Sequence, residues 1–600
     1  MQPTMEILAK INKSSMKNPN EAFTRLYRYL LREDIYFVAY QKLYANKGAG
    51  TKGVDGDTAD GFSQEKIRKI IKVLTDGSYI PKPVRRKYIQ KNNNSAKKRP
   101  LGIPTFTDKL VQEIIRMILE AIYEPLFLDC SHGFRPKRGC HTALDKIKSW
   151  NGTKWFVEGD IKGCFDNIDH NRLIAIVGNK IKDKRFTDLI WKFLKAGCME
   201  DWRYNRTHSG TPQGGIISPV LANIYLHELD KLVMEVKSNF DKKADRRLTP
   251  EYKRLDTRMQ KLRKRIRAAG GEKRDLLIER YQNIRKQLKK TPCTSKTDKK
   301  LKYMRYADDF IIGLNGSKAD SEMIKAELKT FITENLKMEL SEEKTYITHS
   351  SEPVMFLGYH ISVRRCQKTK PDKNGVLKRS LNEIVQLTVP FKEKIEKFLW
   401  DKKAVRIKKN TNALFPAKRD YLLNLTDLEI VSTYRAEMQG ILNFYNRAVD
   451  YYKLSYFNYL MQYSCLMTLA RKHKCRIGKI MAMYKDGHGR WGIPYETKTE
   501  KKRLYLPKMD DCKQNWLEDD FANNTINHSF NTTSFEKRLQ ANTCELCGAA
   551  GHDISFEIHH VNKVKNLKGK SNWEMAMIAK RRKTLVVCLD CHNQIHSSRT

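Results

Sequence analysis

Three acidic residues in two separate segments have the types and settings needed to hold divalent cations. Asp308 and Asp309 are adjacent in "LKYMRYADDFIIGL" (301–314), between two strand-like runs. Asp160 follows the apolar run of "WFVEGDI" (155–161), where a buried acid is costly unless a cation or hydrogen bonds compensate. Two Mg²⁺ ions about 4 Å apart on such carboxylates activate a hydroxyl and stabilise a leaving oxygen in nucleotidyl transfer. Y-A-D-D alone also fits a surface turn, and the third acid favours catalysis.

The last 60 residues carry two cysteine pairs with the spacing of metal ligands. "CELC" and "CLDC" are both C-x-x-C motifs. In a reducing compartment, two such pairs predict a tetrahedral structural Zn²⁺ site, although free core thiols are the alternative. A metal would stand in for the core that so short a module lacks. The predicted zinc ligands are Cys544, Cys547, Cys588 and Cys591.

Four histidines in the same module predict a second metal site. His592 and His596 are four residues apart, so they share one face of a helix and can bind one ion. We expect His559 to complete this site for a divalent ion, with Mg²⁺ the expected metal. Its neighbour His560 is then left to take a proton from water. A lone histidine is more often structural, but four at this spacing favour a hydrolytic centre.

Composition limits the partners of the chain. Its 600 residues exceed one hydrophobic core and predict three or four domains. Lys and Arg number 114 against 68 Asp and Glu, a formal charge of +46, which favours nucleic acid as partner and an anionic membrane second. No apolar run reaches the roughly 18–20 residues of a spanning helix. The polar N-terminus predicts a cytosolic protein, and its 13 cysteines are therefore expected to be mostly reduced.

The residue pattern changes along the chain, and these changes predict its domains. Residues 1–80 have helical spacing, and 81–390 mix strands with helices. Residues 391–484 are helical again, 485–540 are polar and weakly patterned, and 541–600 form the cysteine–histidine module.

A basic insertion at 241–300 interrupts the mixed region. In its central part, 249–290, the Leu and Ile residues keep helical spacing, and Gly270–Gly271 lies mid-way. This pattern predicts a helical hairpin. Either a solvated insertion or an RNA contact fits its density of Lys and Arg.

A glycine-rich elbow lies between the two acidic segments and completes a known order of motifs. In "SGTPQGGIISPVLANIYLHEL" (209–229), Pro212 and Gly214–Gly215 precede a predicted helix. Acid strand, P-Q-G elbow and Y-A-D-D hairpin, in that order, resemble the palm of reverse transcriptases. The resemblance implies that Asp160, Asp308 and Asp309 bind two Mg²⁺ ions, with Asp308 the shared ligand. It also places Gln213 beside the incoming nucleotide.

Further resemblances imply the rest of the nucleotide site. Phe165 lies where the family has an aromatic gate that would collide with a 2′-hydroxyl, although an ordinary core aromatic is the alternative. RNA-dependent RNA polymerases have a similar palm, but they carry aspartate there and Gly-Asp-Asp in the hairpin, so we favour DNA synthesis. Lys98 and Arg99 resemble the fingers residues at the triphosphate, and Lys344 the lysine near the leaving pyrophosphate.

The motifs resemble, more narrowly, bacterial group II intron-encoded proteins of the lactococcal type. "RPLGIP", "HGFRPKRGCHTAL" and "GTPQGG" carry the likeness, and "RAEMQGILNFYNRA" (435–448) extends it into their thumb, domain X. The implied fold is α+β and multidomain: a right-hand polymerase with fingers and an antiparallel palm sheet, an α-helical thumb (391–484), and a small zinc-stapled ββα module. Implied activities are reverse transcription and maturase assistance to splicing.

The C-terminal module resembles an HNH endonuclease, which implies a third activity. Such an enzyme nicks one DNA strand and leaves a 3′-hydroxyl that primes reverse transcription, with 485–540 as the DNA-binding region. The usual asparagine before the second cysteine pair is replaced by Lys583 and Thr584, so its role either falls to Asn562 or another asparagine or is weakened. Implied partners are intron RNA, target DNA and dNTPs in a cytoplasmic ribonucleoprotein, with a homodimer left open. The alternative is a purely RNA-binding maturase with inactive centres, which the intact acids disfavour.

Overall fold

The structure is a computed structural model of the chain. It describes residues 3–46, 48–91, 94–200, 203–205, 210, 214–243, 248–291, 293, 298–366, 368–371, 374–375, 377–379, 382–407, 413–496, 500–513, 534–551, 553–561 and 563–597. Within these residues, helices and small sheets alternate in a mixed α/β chain of several packed units. Among the described helices, none combines the length and the apolar character that a bilayer crossing needs.

The α-helices of the described residues are α1 Thr4–Lys17, α2 Glu33–Tyr44, α3 Gln64–Thr75, α4 Phe106–Tyr123, α5 Cys140–Lys148, α6 Cys164–Asn167, α7 His170–Lys180, α8 Lys184–Lys195, α9 Ser218–Phe240, α10 Pro250–Ala268, α11 Gly271–Lys290, α12 Lys318–Glu334, α13 Lys397–Asp401, α14 Asp427–Phe444, α15 Leu454–Lys472, α16 Ile477–Met483, α17 Met509–Lys513, α18 Ser534–Gln540, α19 Asn572–Lys580 and α20 Leu589–Ser597. Short 3₁₀ turns cover Tyr27–Leu31, Glu342–Lys344, Asp420–Leu422, Tyr451–Lys453 and Val564–Asn566, and a π-helix covers Phe391–Glu396.

The β-strands of the same residues are β1 Phe62–Ser63, β2 Val84–Lys91, β3 Asn94–Ile103, β4 Trp155–Asp160, β5 Cys198–Glu200, β6 Arg203–Asn205, β7 Lys300–Tyr306, β8 Asp309–Asn315, β9 Tyr346–His349, β10 Val354–Phe356, β11 Tyr359–Val363, β12 Thr369–Pro371, β13 Leu377–Arg379, β14 Val385–Thr388, β15 Val405–Ile407, β16 Leu414–Pro416, β17 Ile493–Glu496, β18 Lys501–Leu504, β19 Phe556–His560 and β20 Thr584–Cys588.

The central sheet has the strand order β7-β8-β4-β9, and its pairs are antiparallel. Its inward residues are fully buried, among them Val157 on β4 and Ile312 and Leu314 on β8. Helices α9 and α12 pack against it. The opposite face is buried as well, with Phe156 of β4 and Ile311 of β8 fully buried, so the central sheet lies between two hydrophobic cores.

A second sheet, in the order β3-β2-β5-β6, is built on the long β2–β3 hairpin. The amphipathic helix α4 follows it directly and is buried along most of its length. Thr105 caps this helix, because its hydroxyl accepts a hydrogen bond from the backbone N–H of Asp108 at 3.1 Å. The side chains at 86–90 and 98–99 face solvent, so the β2–β3 hairpin extends from the core as an arm.

The helical region after the central sheet packs on a second core, which also contains Phe156 and Ile311 of that sheet. Helices α14 and α15 pack together around Tyr434, Leu442 and Leu460, which are fully buried. The small sheet β10-β11-β14 shares that core. Thr426 and Glu429 form a capping box that starts α14.

Helices α10 and α11 form an antiparallel pair that meets at Gly270–Gly271. Its buried hydrophobic side chains are Met259, Leu262 and Leu288. Most of its other described residues face solvent. The pair therefore projects from the body with little core of its own.

The N-terminal region and the last 60 residues share a sheet in the order β1-β19-β20. Phe62 of β1 pairs with Ile558 of β19, and both are fully buried. Phe62 also stacks on Tyr40 of α2, with ring centroids 4.0 Å apart. No sequence pattern predicts this junction, because strand β1 has only two residues.

Candidate carboxylate, cysteine and histidine sites

The central sheet brings the three predicted acids together. Asp160 at the end of β4 lies directly opposite Asp309 at the start of β8, and Asp308 occupies the turn between β7 and β8. We call these three residues the carboxylate site. Ala307 in the same turn has φ +56°, a left-handed conformation that makes the turn tight. On β4, a Cβ at position 159 would lie 2.3 Å from the Phe310 ring, so glycine is required there.

A buried ion pair that the sequence did not reveal holds this turn in place. Arg305 and Asp230 are both fully buried, and the Nη2 and Nε atoms of Arg305 donate to the carboxylate at 2.6 and 2.7 Å. Arg305 Nη1 donates to the carbonyl oxygen of Ala307 at 2.8 Å. Its Nη2 also donates to the hydroxyl of Ser131 at 2.8 Å. Arg305 therefore fixes the backbone from which Asp308 projects.

The acids of the carboxylate site repel one another electrostatically. Desolvation in the cleft, then the charges of Asp308 and Asp160, raise the pKa of Asp309 to about 7. Desolvation, followed by the charge of Asp160, also raises the pKa of Asp308. Lys344 forms an ion pair with Asp160 and supplies one compensating charge. The three carboxylates offer hard oxygen ligands, and their negative charge is only partly compensated by Lys344. Mg²⁺ prefers such ligands, so the residues fit that ion.

The other predicted nucleotide residues border the carboxylate site to different degrees. Arg99 is exposed on β3, and its charge offsets part of the rise in the pKa of Asp308. Lys98 precedes it on the same strand and is also exposed. Phe165 on α6 is half-buried, and its ring lies 5.9 Å from that of Phe134, edge to face. Gln213 lies outside the described residues.

The backbone around the elbow is closely packed. Gly214 has φ +109°, and a Cβ there would lie 2.5 Å from the carbonyl oxygen of Gly102 on β3. Gly210 has φ +86°, and its Cβ would lie 2.5 Å from the carbonyl oxygen of Asp166. Both glycines are needed because the backbone of Gly214 lies directly on β3 and that of Gly210 on α6.

The four predicted cysteines converge in the C-terminal module. The sulfur atoms of Cys544, Cys547, Cys588 and Cys591 lie within 4.8 Å of one another, and we call them the cysteine site. Burial opposes ionisation of the Cys544 thiol, yet backbone N–H groups, those of Cys547 and Cys588 first, lower its pKa to about 7. A thiolate is the form that binds metal. The donor set fits a tetrahedral Zn²⁺.

The three predicted histidine ligands also converge, and they do so around an aspartate from the N-terminal region. Ligand atoms of Asp60, His559, His592 and His596 lie within 4.8 Å of one another, and we call them the histidine site. The Oδ1 atom of Asp60 is 3.2 Å from His559 Nδ1 and 3.3 Å from His592 Nε2. Its Oδ2 atom is 2.8 Å from His596 Nε2.

Glu557 orients one of these ligands. Its Oε2 atom is 2.6 Å from Nδ1 of His592, so the other ring nitrogen, Nε2, faces the cluster. A carboxylate behind a ligating imidazole is the usual outer partner of a metal-bound histidine. Burial opposes protonation of His592, but hydrogen bonds with Asp60 and Glu557 raise its pKa to about 9. Imidazole and carboxylate donors fit a divalent ion such as Zn²⁺ or Mn²⁺ as well as Mg²⁺.

His560 lies apart from these ligands. Successive residues of a strand point to opposite faces, so its ring leaves β19 on the side away from His559. The residue is 7% exposed, and its ring lies 6.3 Å from that of Tyr44 on α2. Burial lowers its pKa, which keeps the imidazole neutral. Asn562, the candidate for the orienting asparagine, lies outside the described residues.

Two residues of these sites were missed at the level of sequence, for different reasons. Arg305 could have been found from the sequence near it, since a charged residue interrupts the apolar pattern of a strand beside Y-A-D-D. Asp60 had none, because it lies in a polar loop some 500 residues from the histidines that it contacts.

Comparison with known proteins covers most of the chain. Residues 89–244 and 277–361 match the model of reverse transcriptases, which are RNA-dependent DNA polymerases. Residues 382–528 match the type II intron maturase model. Residues 544–592 match the HNH endonuclease model of AI2M/AI1M-like proteins.

Full-length relatives agree with these matches. The group II intron-encoded protein LtrA of Lactococcus lactis subsp. cremoris is 56% identical over 598 residues, which cover 99% of each chain. An uncharacterized 91 kDa protein in the cob intron of Schizosaccharomyces pombe is 36% identical over 608 residues, 99% of this chain and 72% of that one.

An apo telomerase structure from Candida tropicalis matches at a TM-score of 0.30 and 13% identity, over 55% of this chain and 63% of that one, too weakly to bear on the fold. The 56% identity over the full length and the three matched domains decide the assignment together. The chain belongs to the group II intron-encoded proteins, and it joins an RNA-directed DNA polymerase, a splicing maturase and an HNH DNA endonuclease in one polypeptide.

Proposed function

We propose that the carboxylate site is the polymerase centre of this protein and that it holds two Mg²⁺ ions. The convergence of Asp160, Asp308 and Asp309 at one end of the central sheet carries this proposal. When bound, the ions would activate the primer 3′-hydroxyl and stabilise the leaving pyrophosphate. The central sheet is then the palm, the β2–β3 arm belongs to the fingers, and α13–α16 form the thumb.

The neighbouring side chains would bind and select the dNTP. Lys344, already drawn to Asp160, would neutralise charge near the leaving pyrophosphate. Arg99 and Lys98 on the β3 arm would contact the triphosphate. Phe165, supported edge-on by Phe134, would exclude a 2′-hydroxyl. Gln213 would lie beside the incoming nucleotide.

Primer extension on an RNA template with Mg²⁺ tests the polymerase centre. We expect Asp308→Ala to reduce extension by at least about 10³-fold, since a positioned metal ligand is lost. Glu339→Gln is a matched control, because that exposed acid pairs with Lys162 at 3.0 Å outside the carboxylate site. Retained extension in Asp308→Ala would refute the assignment and would favour a maturase with inactive centres.

We propose that the maturase function uses basic and aromatic surfaces rather than a compact site. The α10–α11 pair exposes many basic side chains, including Arg258, Lys261 and Arg265 on α10. Helix α15 exposes Tyr456, Tyr459 and Tyr463 on one face. Phosphate contacts by cations and stacking of unpaired bases on aromatic rings are the means by which proteins bind structured RNA. Intron RNA in a ribonucleoprotein is the partner that fits.

Salt-dependent RNA binding tests the α10–α11 surface. Replacing Arg258, Lys261 and Arg265 together by glutamine should weaken intron RNA binding and lower the log–log salt slope by up to about 3. Replacing the exposed acids Glu272, Asp275 and Glu279 of α11 by glutamine is the control and should leave binding unchanged or tighter. An unchanged slope in the first variant would make this pair a solvated insertion.

We propose that the C-terminal module nicks one strand of the target DNA and thereby supplies the 3′-hydroxyl that the polymerase extends. The histidine site would hold the hydrolytic metal, the cysteine site a structural Zn²⁺, and His560 would take the proton from water. Residues 485–540 would bind DNA, although 514–533 lie outside the described residues. His560→Ala should abolish nicking of target DNA and leave RNA-templated extension unchanged, whereas nicking at the wild-type rate would overturn the role of His560.

A further inference from the structure

A short segment of the N-terminal region, Ala59–Ser63, lies along the edge of the C-terminal module. Its strand β1 extends the module's sheet, and Gly61 donates its backbone N–H to the carbonyl of Ile558 at 3.1 Å. On its other side, Tyr40 donates its hydroxyl to the carbonyl of Ala59 at 3.0 Å. The segment is therefore tied to both units, and we call it the docking segment.

The docking segment carries Asp60 into the histidine site at distances that suit metal ligation. Bonds of about 2.0–2.2 Å in a tetrahedron separate neighbouring ligand atoms by about 3.3–3.6 Å. Asp60 Oδ1 lies 3.2 Å from His559 Nδ1 and 3.3 Å from His592 Nε2. His592 Nε2 and His596 Nε2 are 3.3 Å apart. Three imidazoles and one carboxylate thus surround one point, and a metal there would have four protein ligands.

Four protein ligands have a consequence for catalysis. Catalytic zinc-type sites keep three protein ligands and leave the next position to water or substrate, whereas sites with four protein ligands are structural. The proposed base is covered by α2, because the His560 ring lies against that of Tyr44. The docking segment is bonded to both, since Asp60 accepts from the backbone N–H of His560 at 2.7 Å and Ala59 accepts from Tyr40 of α2. With Asp60 in place, a four-coordinate ion such as Zn²⁺ has no position left for a DNA phosphate, and the base is covered.

We propose that Asp60 is a ligand of the nuclease metal supplied by the N-terminal region, and that its ligation competes with the scissile DNA phosphate and keeps the endonuclease closed. The proposal rests on the proposed nuclease function and adds a control on it. Release of the docking segment opens the metal and uncovers His560 together. Nicking is then coupled to a movement of the N-terminal region. Polymerase activity does not depend on that movement.

Metal binding by the full-length protein tests the ligand. With the cysteine site filled by Zn²⁺, Co²⁺ at the histidine site gives strong visible absorption, since four-coordinate nitrogen ligation intensifies its d–d bands. We expect Asp60→Ala to weaken this Co²⁺ binding by roughly 10- to 100-fold. Asp57→Ala is the matched control, since Asp57 lies in the same loop but pairs with Lys66 at 2.7 Å. Equal affinity in Asp60→Ala and wild type would overturn the proposal.

Hydrogen exchange separates a ligand from a counter-ion of the histidines. If Asp60 ligates the metal, Co²⁺ must slow exchange of the β1 and β19 amides in wild type, because metal and docking then favour each other. This slowing should be absent in Asp60→Ala. A simple counter-ion would be displaced, so added Co²⁺ would speed exchange and refute the proposal.

Nicking of target DNA at saturating metal tests the closure. Asp60→Ala should nick several-fold faster than wild type, because the competing ligand is gone. A slower rate at saturating metal would overturn closure and make Asp60 a catalytic ligand. Wild type reports on the proposed function separately. If wild type neither binds Co²⁺ at the histidines nor nicks DNA, the nuclease assignment itself fails; if it does both, a failed Asp60 variant refutes the inference alone.

Discussion

The carboxylate site and the histidine site are assembled in opposite ways. The three acids project from two paired strands and the turn between β7 and β8, and the buried Arg305–Asp230 pair holds that turn. The histidine site takes three ligands from the C-terminal module and a carboxylate from a loop of the N-terminal region. The first site is fixed by the core beneath it, whereas the second depends on how two distant segments dock.

The two sites also differ in how their charged groups are arranged. At the carboxylate site, like charges face one another, and burial with that repulsion raises the pKa of Asp309. At the histidine site, the Asp60 carboxylate lies beside three imidazoles and no second carboxylate ligand, so like charges do not face one another there. The polymerase centre therefore needs cations to offset its carboxylates. At the nuclease centre, the Asp60 carboxylate already contacts the histidines, so a metal ion must bind together with Asp60 and a DNA phosphate must displace it.

Loss of the structural metal should show the largest difference between the two sites. Structural Zn²⁺ supplies about 10 kcal/mol or more of folding free energy in small modules. We expect Cys588→Ser to unfold the C-terminal module and abolish nicking, while RNA-templated extension persists. Zinc content and limited proteolysis measure the change, and Cys293→Ser, which alters an exposed thiol, is the control. A folded, zinc-free module would contradict the prediction.

Breaking the buried ion pair should have the next largest effect, confined to the polymerase. Arg305→Met leaves Asp230 as an unpaired buried charge, which costs about 3–5 kcal/mol. We expect reduced stability in urea unfolding and loss of primer extension, with nicking unchanged.

The double variant Arg305→Met with Asp230→Leu separates stability from positioning. Replacing both charges by apolar groups should restore most of the stability. Extension should stay low, because the carbonyl of Ala307 still lacks its donor. Recovery of extension together with stability would mean that Arg305 does not position the turn.

The sequence was sufficient for the carboxylate site, because its signals are local. The apolar run before Asp160 and the strand–turn–strand around Asp308 each predict an element that ends at an acid, and the structure pairs those elements. Arg305 was harder to identify, since a charged residue in a strand is more often on an exposed face.

The docking of the N-terminal region could not be predicted in the same way. Strand β1 has two residues, and a strand that short carries no periodic signal. Phe62 is apolar in a polar loop, and single apolar residues on a surface are common. The four histidines predicted a metal site, but residues about 500 positions apart share no pattern that would add Asp60.

Magnesium should stabilise the polymerase centre in a pH-dependent way. Because the pKa of Asp309 is raised to about 7, the metal-free native state keeps a proton that the unfolded chain loses near pH 4. Native stability from this group therefore falls as pH rises from about 4 to about 7. Mg²⁺ requires the deprotonated form, so its stabilisation, about 2–3 kcal/mol near 100-fold excess over Kd, should appear above about pH 7. Thermal unfolding with and without Mg²⁺ at about pH 5.5 and pH 8 measures it, and an equal shift at both would contradict the prediction.

The smallest effect concerns the docking segment itself. Gly61 has φ +72°, and a Cβ there would meet Glu557 and His592 at ordinary contact distances of 3.7 and 3.8 Å. Gly61→Ala therefore strains the backbone without a clash and should weaken docking by about 1–2 kcal/mol. Faster amide exchange in β1 and β19, and a modest rise in nicking, are expected. Gly48→Ala, where a Cβ meets nothing within 4 Å, is the control. If Gly61→Ala left exchange unchanged while Asp60→Ala opened the site, ligation by Asp60 rather than strand pairing would hold the two units together.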